Sequence, residues 1–402
     1  MATEWKKVRL GELYEVHNGL SKGGKFFGSG YPFLSFSTIF NNFFIPENIK
    51  DLVQSTPEEQ ENYSVKAGDV FVTRTSETAD ELGMSSVALK DYPNATYNGF
   101  CKRLRPIDSE YKVLPKYIGY YLRTPEFRGK FLGLSGSMTT RASLKNDDLL
   151  SMTIPLPSLE TQQKIAGILS AYDDLIENNR KQIKLLEEAS QKLYKEWFVK
   201  LNFPGHENVK IVDGVPEGWT TKTVEELGEY LNGYAFKPSD WKTEGLPIIK
   251  IKEMNQGITK DTPRNSGEQI PKKYIIKTGD IVFSWSATLA VVIWTGETGI
   301  LNQHLFKVTP ATSICREFIF QTIKYELDAF SNLTTGATMK HIQRNKLSQL
   351  SLAVPDKKIM SLYDKVVNPI REKIINSQLS ILNLQSARDK LLPKLMNGEV
   401  EV

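Results

Sequence analysis

The chain has 402 residues, 40% hydrophobic and 24% charged, a balance that excludes wholesale disorder and leaves room for at least two folded domains. Its 51 Lys and Arg against 47 Asp and Glu leave a net charge of +4, so any strongly cationic surface has to be local. Two cysteines, Cys101 and Cys315, lie far apart without Cys-x-x-Cys or Cys/His ligand spacing, which argues against a disulfide framework and a zinc site and fits a reducing cytoplasm.

Residues 1–156 carry short β-rich runs, Asp69-Val-Phe-Val-Thr and Ser86-Val-Ala-Leu, broken by Gly, Pro and Asn turns, and a helical stretch from Lys116 to Arg123. This pattern predicts an α+β domain. After Ile154-Pro-Leu-Pro157, Ser158 can cap a helix, Glu160 places a carboxylate in its first turn, and no Pro follows until Pro204. Residues 157–200 are therefore predicted as one helix of about 40 residues. Residues 201–216 read as a linker. Residues 217–354 repeat the mixed pattern, with strands at Gly279-Asp-Ile-Val-Phe and Ala290-Val-Val-Ile-Trp and a helix from Glu317 to Phe330, and residues 355–402 form a second long helix.

The two halves match landmark by landmark. Trp5, Leu13 and Asn18-Gly19 pair with Trp219, Leu227 and Asn232-Gly233 at an offset of 214. The offset falls to 211 between Lys66-Ala-Gly68-Asp69 and Lys277-Thr-Gly279-Asp280, and to 204 for Asn98 and Pro106 against Asn302 and Pro310. It is 200 between Gly136 and Gly336 and 198 between Pro157 and Pro355. A Gly-Asp before an apolar run is a common turn, so a single pair would mean little; an ordered series with steadily drifting spacing marks a duplication with insertions and deletions in its loops.

The two long helices share a register. In the first, Leu169, Ile176, Ile183, Ser190 and Trp197 with Tyr172, Asn179, Leu186 and Leu193 form a mostly apolar seam at period 3.5. Adding 198 gives Val367, Ile374, Ile381, Arg388 and Leu395 with Ile370, Ser377, Leu384 and Leu391. A helix of about 40 residues is about 60 Å long, more than one domain can cover, so the two helices are expected to pair. A parallel pair would need the chain to return that distance through about 16 linker residues, which reach at most about 55 Å. The expected architecture is two pseudo-twofold-related α/β domains of an α+β chain, separated by two long antiparallel coiled-coil helices. Polar Asn179, Ser190, Ser377 and Arg388 are expected to fix the register or to face another subunit. Pro393, standing in place of Tyr194, predicts a kink or an early end in the second helix.

Sites of chemistry are scarce. Gly19-Leu-Ser-Lys-Gly-Gly24-Lys25 has the glycine and lysine spacing of a phosphate-binding loop, but Phe26 stands where a magnesium-binding Ser or Thr belongs and no buried strand precedes it, so a turn is the better reading. Pro355-Asp356-Lys357-Lys358 resembles part of a nuclease motif yet sits where the other half opens a helix with Pro157-Ser-Leu-Glu160. His17, His206, His304 and His341 show no metal-ligand spacing, and no nucleophile elbow, dinucleotide turn or Asn-Pro-Pro-aromatic methyltransferase motif occurs. No metal site is expected. Met1 to Lys7 contain no apolar leader, and the longest apolar runs, such as Leu289 to Trp294, fall far short of the roughly 18 residues of a spanning helix, so no membrane association is expected.

What remains are polar and basic loops at matching places. Arg74-Thr-Ser76 and Ser284-Trp285-Ser286 follow the two Gly-Asp strands. Thr139, Thr140, Arg141 and Lys145 follow Gly136, and Lys340, His341 and Arg344 follow Gly336. Arg and Lys can neutralise phosphates or bond guanine edges, while Ser, Thr and His can bond bases or backbone, so these residues are the candidates for contact with DNA. An ordinary solvated loop is the competing explanation for each one taken singly.

The segment Ile154-Pro-Leu-Pro-Ser-Leu-Glu-Thr-Gln-Gln-Lys-Ile-Ala, running on to Leu193-Tyr-Lys-Glu-Trp197-Phe198, resembles the specificity subunits of type I restriction-modification systems. So do Gly279-Asp-Ile-Val-Phe-Ser-Trp-Ser and the ending Leu391-Leu-Pro-Lys-Leu-Met-Asn-Gly398-Glu-Val, and the likeness spans essentially the whole chain. The resemblance implies two target-recognition domains that each read half of a bipartite, asymmetric site on double-stranded DNA. It implies spacer helices that dock two modification subunits, which would bind S-adenosylmethionine, and restriction subunits that would use ATP and Mg. This chain would then be non-catalytic, cytoplasmic and without a cofactor of its own. Two other classes remain: a nuclease, which would need acidic ligands such as Asp69 or Asp280 converging on a metal, and a coiled-coil scaffold that touches no DNA.

Overall fold

A computed structural model describes residues 5–76, 81–135, 142–286, 288–332 and 344–402. In the first domain the strands β1 (Tyr14–Asn18), β2 (Val70–Thr73), β3 (Ser85–Val87) and β4 (Cys101–Pro106) form an antiparallel sheet in the order β1-β4-β2-β3. The run Val70-Phe-Val-Thr73 is buried at every position, which suits a central strand of β-branched and aromatic residues covered on both faces. On one side Val70 and Val72 pack with Tyr117, Ile118, Tyr120 and Tyr121 of α1 (Pro115–Tyr121), and on the other Phe71 packs with Leu34, Ile39 and Tyr97. A second small sheet joins Phe27–Leu34 to Leu52–Val53 and, in parallel, to Thr96–Tyr97. The strand Lys6–Arg9 pairs antiparallel with Thr153–Leu156, fastening the start of the domain to the segment that feeds the first long helix.

That helix, α2 (Leu159–Tyr194), begins where the sequence predicts, with the Ser158 hydroxyl accepting from the Thr161 amide at 3.2 Å, and ends in a π-helical turn at Lys195–Val199. The linker that follows carries a small hairpin, Ile211–Val212 with Val215–Pro216.

The second domain repeats the main sheet of the first. Its sheet of β5 (Gly228–Asn232), β6 (Ile281–Ser284), β7 (Ala290–Ile293) and β8 (Leu305–Pro310) has the order β5-β8-β6-β7, the same as in the first domain. Here too the second strand of the small sheet pairs in parallel, Leu246–Ile249 with Gly299–Leu301, and Thr220–Thr223 pairs antiparallel with Ser351–Val354. The helical stretch predicted from Glu317 to Phe330 is two helices, α3 (Arg316–Tyr325) and Leu327–Asn332. The last element is α4 (Lys357–Met396), capped by the Asp356 carboxylate, which accepts from the Ile359 amide at 2.8 Å. The nuclease-like Pro355-Asp356 is thus a helix start.

The duplicated landmarks acquire physical causes. Gly68 and Gly279 adopt φ of +86° and +91°, the left-handed region open to glycine, and the Asp after each accepts a hydrogen bond from the backbone amide of Lys66 or Lys277 at 2.8 Å. Asp69 also pairs with Arg105 at 2.6 Å and Asp280 with Lys307 at 2.8 Å, so both carboxylates are engaged in turns and ion pairs. Gly19 and Gly233 lie so close to the carbonyls of Asn98 and Asn302 that a Cβ would sit 2.1 Å and 2.3 Å from those oxygens. The glycine-rich stretch from Gly19 to Lys25 runs into a three-residue turn, Gly24–Phe26, and then the strand Phe27–Leu34, with no phosphate-cradling helix behind it.

The chain forms two compact units, residues 1–175 with 384–402 and residues 176–383, so each unit holds the beginning of one long helix and the end of the other. In the first, Ile165 and Leu169 of α2 share a core with Leu392, Leu395 and Met396 of α4. In the second, Trp197 and Phe198 pack on Tyr363 of α4 with ring centroids 5.7 Å and 4.7 Å apart, beside Ile359 and Val367. Within each unit the helices therefore run antiparallel. Every seam position is at least half-buried: Leu169, Ile176, Ser190, Trp197, Val367, Ile374, Ser377 and Leu395 fully, the others partly.

Two expectations about the helices need correction. At the shared offset of 198, Pro393 stands opposite Lys195 rather than Tyr194, and α4 neither ends early nor stops there: it continues to Met396, through Pro369 as well. A proline removes one helical hydrogen bond, and at the matching place α2 departs from α geometry by its π turn. Of the polar seam residues, Arg388 does tie the helices together, through an ion pair with Asp173 of α2, while Ser190 turns to α3, donating to Glu317 at 2.7 Å and accepting from Gln321 at 3.2 Å.

Candidate nucleic-acid interface

In the first domain, the corner beyond β2 gathers the candidate residues. The short strand Thr75–Ser76 pairs antiparallel with Ala142–Ser143, with Ala142 opposite Ser76 and Ser143 opposite Thr75. The Leu144 amide donates to the Arg74 carbonyl at 3.0 Å. Two loops 70 residues apart in sequence are thereby held as one surface, with Arg74 half-buried and Lys145 exposed at the start of the helix Asn146–Ser151. Arg74 donates through Nη1 to Asn18 Oδ1 at 3.3 Å, at the end of β1.

Lys102 completes the corner. It is the second residue of β4, opposite Asn18 of β1, is only 4% exposed, and donates through Nζ to Asn146 Oδ1. Burial lowers its pKa from the usual lysine value, and the nearby Arg74 charge lowers it further. Two cations held side by side, one desolvated, favour an anion between or above them; a DNA phosphate has that charge and reach. Along Cys101-Lys-Arg-Leu-Arg-Pro106 the sequence shows the alternation that separates Lys102 from Arg103 and Arg105, which turn to the Ser64 carbonyl and Asp69 instead. Lys102 and Asn18 escaped the sequence reading because that alternation alone does not say which face of the strand lies toward Arg74.

The matching corner of the second domain is built differently. Ser284 and Ser286 are buried, and the Ser284 hydroxyl donates to the Ser286 carbonyl at 3.1 Å. Its counterpart Thr73 likewise donates to the Glu81 carbonyl and accepts from the Met84 amide at 2.8 Å, so at this position the hydroxyl holds the strand end in place. Trp285, at the position of Arg74, is half-buried with its ring 5.9 Å from those of His304 and Phe306. Of the other candidates, Arg344 opens the turn Arg344–Gln349. The side chains of Ser76 and Arg344, and Thr139, Thr140, Arg141, Lys340 and His341 altogether, lie outside the described residues.

Among the described residues no three His, Cys, Asp or Glu side chains gather as a metal site, and no helix is long and apolar enough to cross a membrane.

The duplicated α+β domain, the long helices that run antiparallel within each unit, and the basic and aromatic corners at matching places define a two-domain architecture with paired sites. The family model described as the type I restriction modification DNA specificity domain matches residues 2–188 and 216–379, and the chain belongs to this family. It is 25% identical to the type I restriction enzyme MjaIX specificity subunit of Methanocaldococcus jannaschii, over 99% of this chain and 94% of that one. It is also 25% identical to the HindI specificity subunit of Haemophilus influenzae, over 99% of this chain and all of that one. The crystal structure of the type I restriction-modification S subunit from M. genitalium superposes with a TM-score of 0.56 at 14% identity, covering 98% of this chain and 96% of that one, which shows the shared fold. The chain is thus a specificity subunit, a recognition component rather than a catalytic one.

Proposed function

We propose that each domain reads one half of a bipartite, asymmetric site on double-stranded DNA, and that the paired helices carry two modification subunits and, with them, the restriction subunits. S-adenosylmethionine, ATP and Mg would be bound by those partners, and the complex would act in the cytoplasm. The observation that best supports this reading is the repetition of one strand order, turn and corner in two domains whose corner side chains differ in kind, Arg74 and Lys102 in one and Trp285 and Phe306 in the other. A shared scaffold with different chemistry at its tip suits two half-sites of different sequence.

Phosphate contacts release counterions, so binding should weaken steeply as salt rises. Arg141→Ala and Lys340→Ala are expected to weaken DNA binding while leaving subunit assembly intact. Salt-insensitive binding, or unchanged binding of specific DNA by both variants, would favour a scaffold that touches no DNA. An intrinsic nuclease activity abolished by changing Asp69 or Asp280 would restore the enzyme alternative.

A further inference from the structure

One turn is built from the same backbone hydrogen bonds in both domains. In the first, Gly19 N donates to Cys101 O at 3.2 Å, Leu20 N to Tyr97 O at 2.8 Å, Gly99 N to Leu20 O at 2.8 Å and Cys101 N to Asn98 O at 2.9 Å. In the second, Gly233 N donates to Leu305 O at 3.0 Å, Tyr234 N to Leu301 O at 2.7 Å, Gln303 N to Tyr234 O at 3.0 Å and Leu305 N to Asn302 O at 3.0 Å. Each donor and acceptor corresponds, at the offsets 214 and 204 of the repeat. The turn is rigid because its bonds are main-chain and because a glycine is pressed against the Asn98 or Asn302 carbonyl.

The residue this turn presents is Phe100 in one domain and His304 in the other. Phe100 is 61% exposed, so its phenyl ring is available to a ligand. Its carbonyl accepts from the Arg74 amide at 2.8 Å and its amide donates to Asn98 Oδ1 at 2.8 Å, so the ring stands beside the cationic corner on a fixed main chain. His304 is also exposed, lies against the Trp285 ring, and meets the Gln303 side chain at 3.3 Å between Nε2 atoms.

We propose, building on the DNA-reading function above, that Phe100 and His304 are the specificity-determining side chains of this turn, each for its own half-site. Phe100 makes an apolar contact with a thymine methyl, the base feature that a side chain without hydrogen-bonding groups can read in the major groove. His304, with Gln303, supplies hydrogen bonds to a base edge. Phosphate neighbours such as Arg74 set the position of the turn, and the tip residue sets its preference.

The test is selection of bound duplexes from a randomised library by the full chain assembled with its modification subunits, comparing wild type, Phe100→Ala and His304→Ala. Wild type should enrich a bipartite motif. Phe100→Ala should relax preference about tenfold at one or two positions of one half-site, and His304→Ala should do so in the other half-site only. Replacing the thymine at the Phe100-dependent position by uracil should weaken wild type severalfold and leave Phe100→Ala unchanged. Both rings are exposed, so thermal unfolding should stay at the wild-type temperature; Phe100→Ser and His304→Leu, which remove the apolar contact and the hydrogen bonds respectively, serve if either alanine variant unfolds early. An unaltered motif from both variants, or insensitivity of wild type to uracil, overturns the assignment while the DNA-reading function stands. Failure of wild type to enrich any motif overturns both.

Discussion

Position for position, the first domain carries Arg74, Phe100 and Lys102 where the second carries Trp285, His304 and Phe306. The strands that hold these residues have the same order and the same antiparallel register, β1-β4-β2-β3 against β5-β8-β6-β7. What differs is which side chain is charged and which is aromatic. The first corner places two cations together, one desolvated, while the second packs Trp285 on Phe306 and leaves His304 exposed. Because the turns and strand ends are closed by main-chain hydrogen bonds and by hydroxyls such as those of Thr73 and Ser284, their tips are free to change chemistry without loss of the fold.

The largest expected effect breaks what the corners share. Gly19→Ala and Gly233→Ala each force a Cβ into a backbone carbonyl, and each should destabilise its own domain by about 2–3 kcal/mol, measured by denaturant unfolding. Loss of less than about 0.5 kcal/mol would mean the turn is not held as described. A smaller loss is expected from Asp173→Ala in the first unit, where the carboxylate receives both Arg388 and the buried Tyr120 hydroxyl; Arg388 keeps Asp389, so the cost of about 1–2 kcal/mol comes from one lost ion pair and one orphaned hydroxyl.

Smaller effects should separate the corners. Arg74→Ala should weaken DNA binding and reduce the slope of log affinity against log salt by about one. Trp285→Ala should instead lower stability, because its ring belongs to the core margin, and should leave that slope unchanged. Equal salt slopes for the two variants would erase the distinction. Lys102→Met should weaken DNA binding yet leave the free protein as stable or more stable by up to about 1 kcal/mol, since it removes a charge that burial and Arg74 disfavour. The lowered lysine pKa has a matching sign in pH: between the folded value and 10.5 the unfolded chain binds more protons, so wild-type stability should rise with pH through that window and the Lys102→Met variant should lack this rise.

Much of the fold was legible because duplication prints the same physical requirements twice. A left-handed glycine before an Asp-capped turn, a glycine against a carbonyl and a seam at period 3.5 each need particular residues at fixed spacing, and these survive as Gly68 and Gly279, Gly19 and Gly233, and the helix register. Strand order was not legible, since it depends on pairings such as Val70 with Leu104 that leave no local signature. Nor was the burial of Ser284 and Ser286: serines after a strand look the same in sequence whether their hydroxyls meet solvent or close a turn. Phe100 was missed because an exposed aromatic resembles a core residue until its neighbours are known, although alignment of Asn98 with Asn302 already sets it opposite His304.

The central claim, that the chain directs two different domains to two halves of one DNA site, is tested most directly by mapping methylated adenines in the host genome with and without this gene. A gene-dependent motif of two unlike half-sites separated by an unspecified spacer is the predicted result. With the modification subunit expressed, a methylation pattern unchanged by loss of the gene would contradict it.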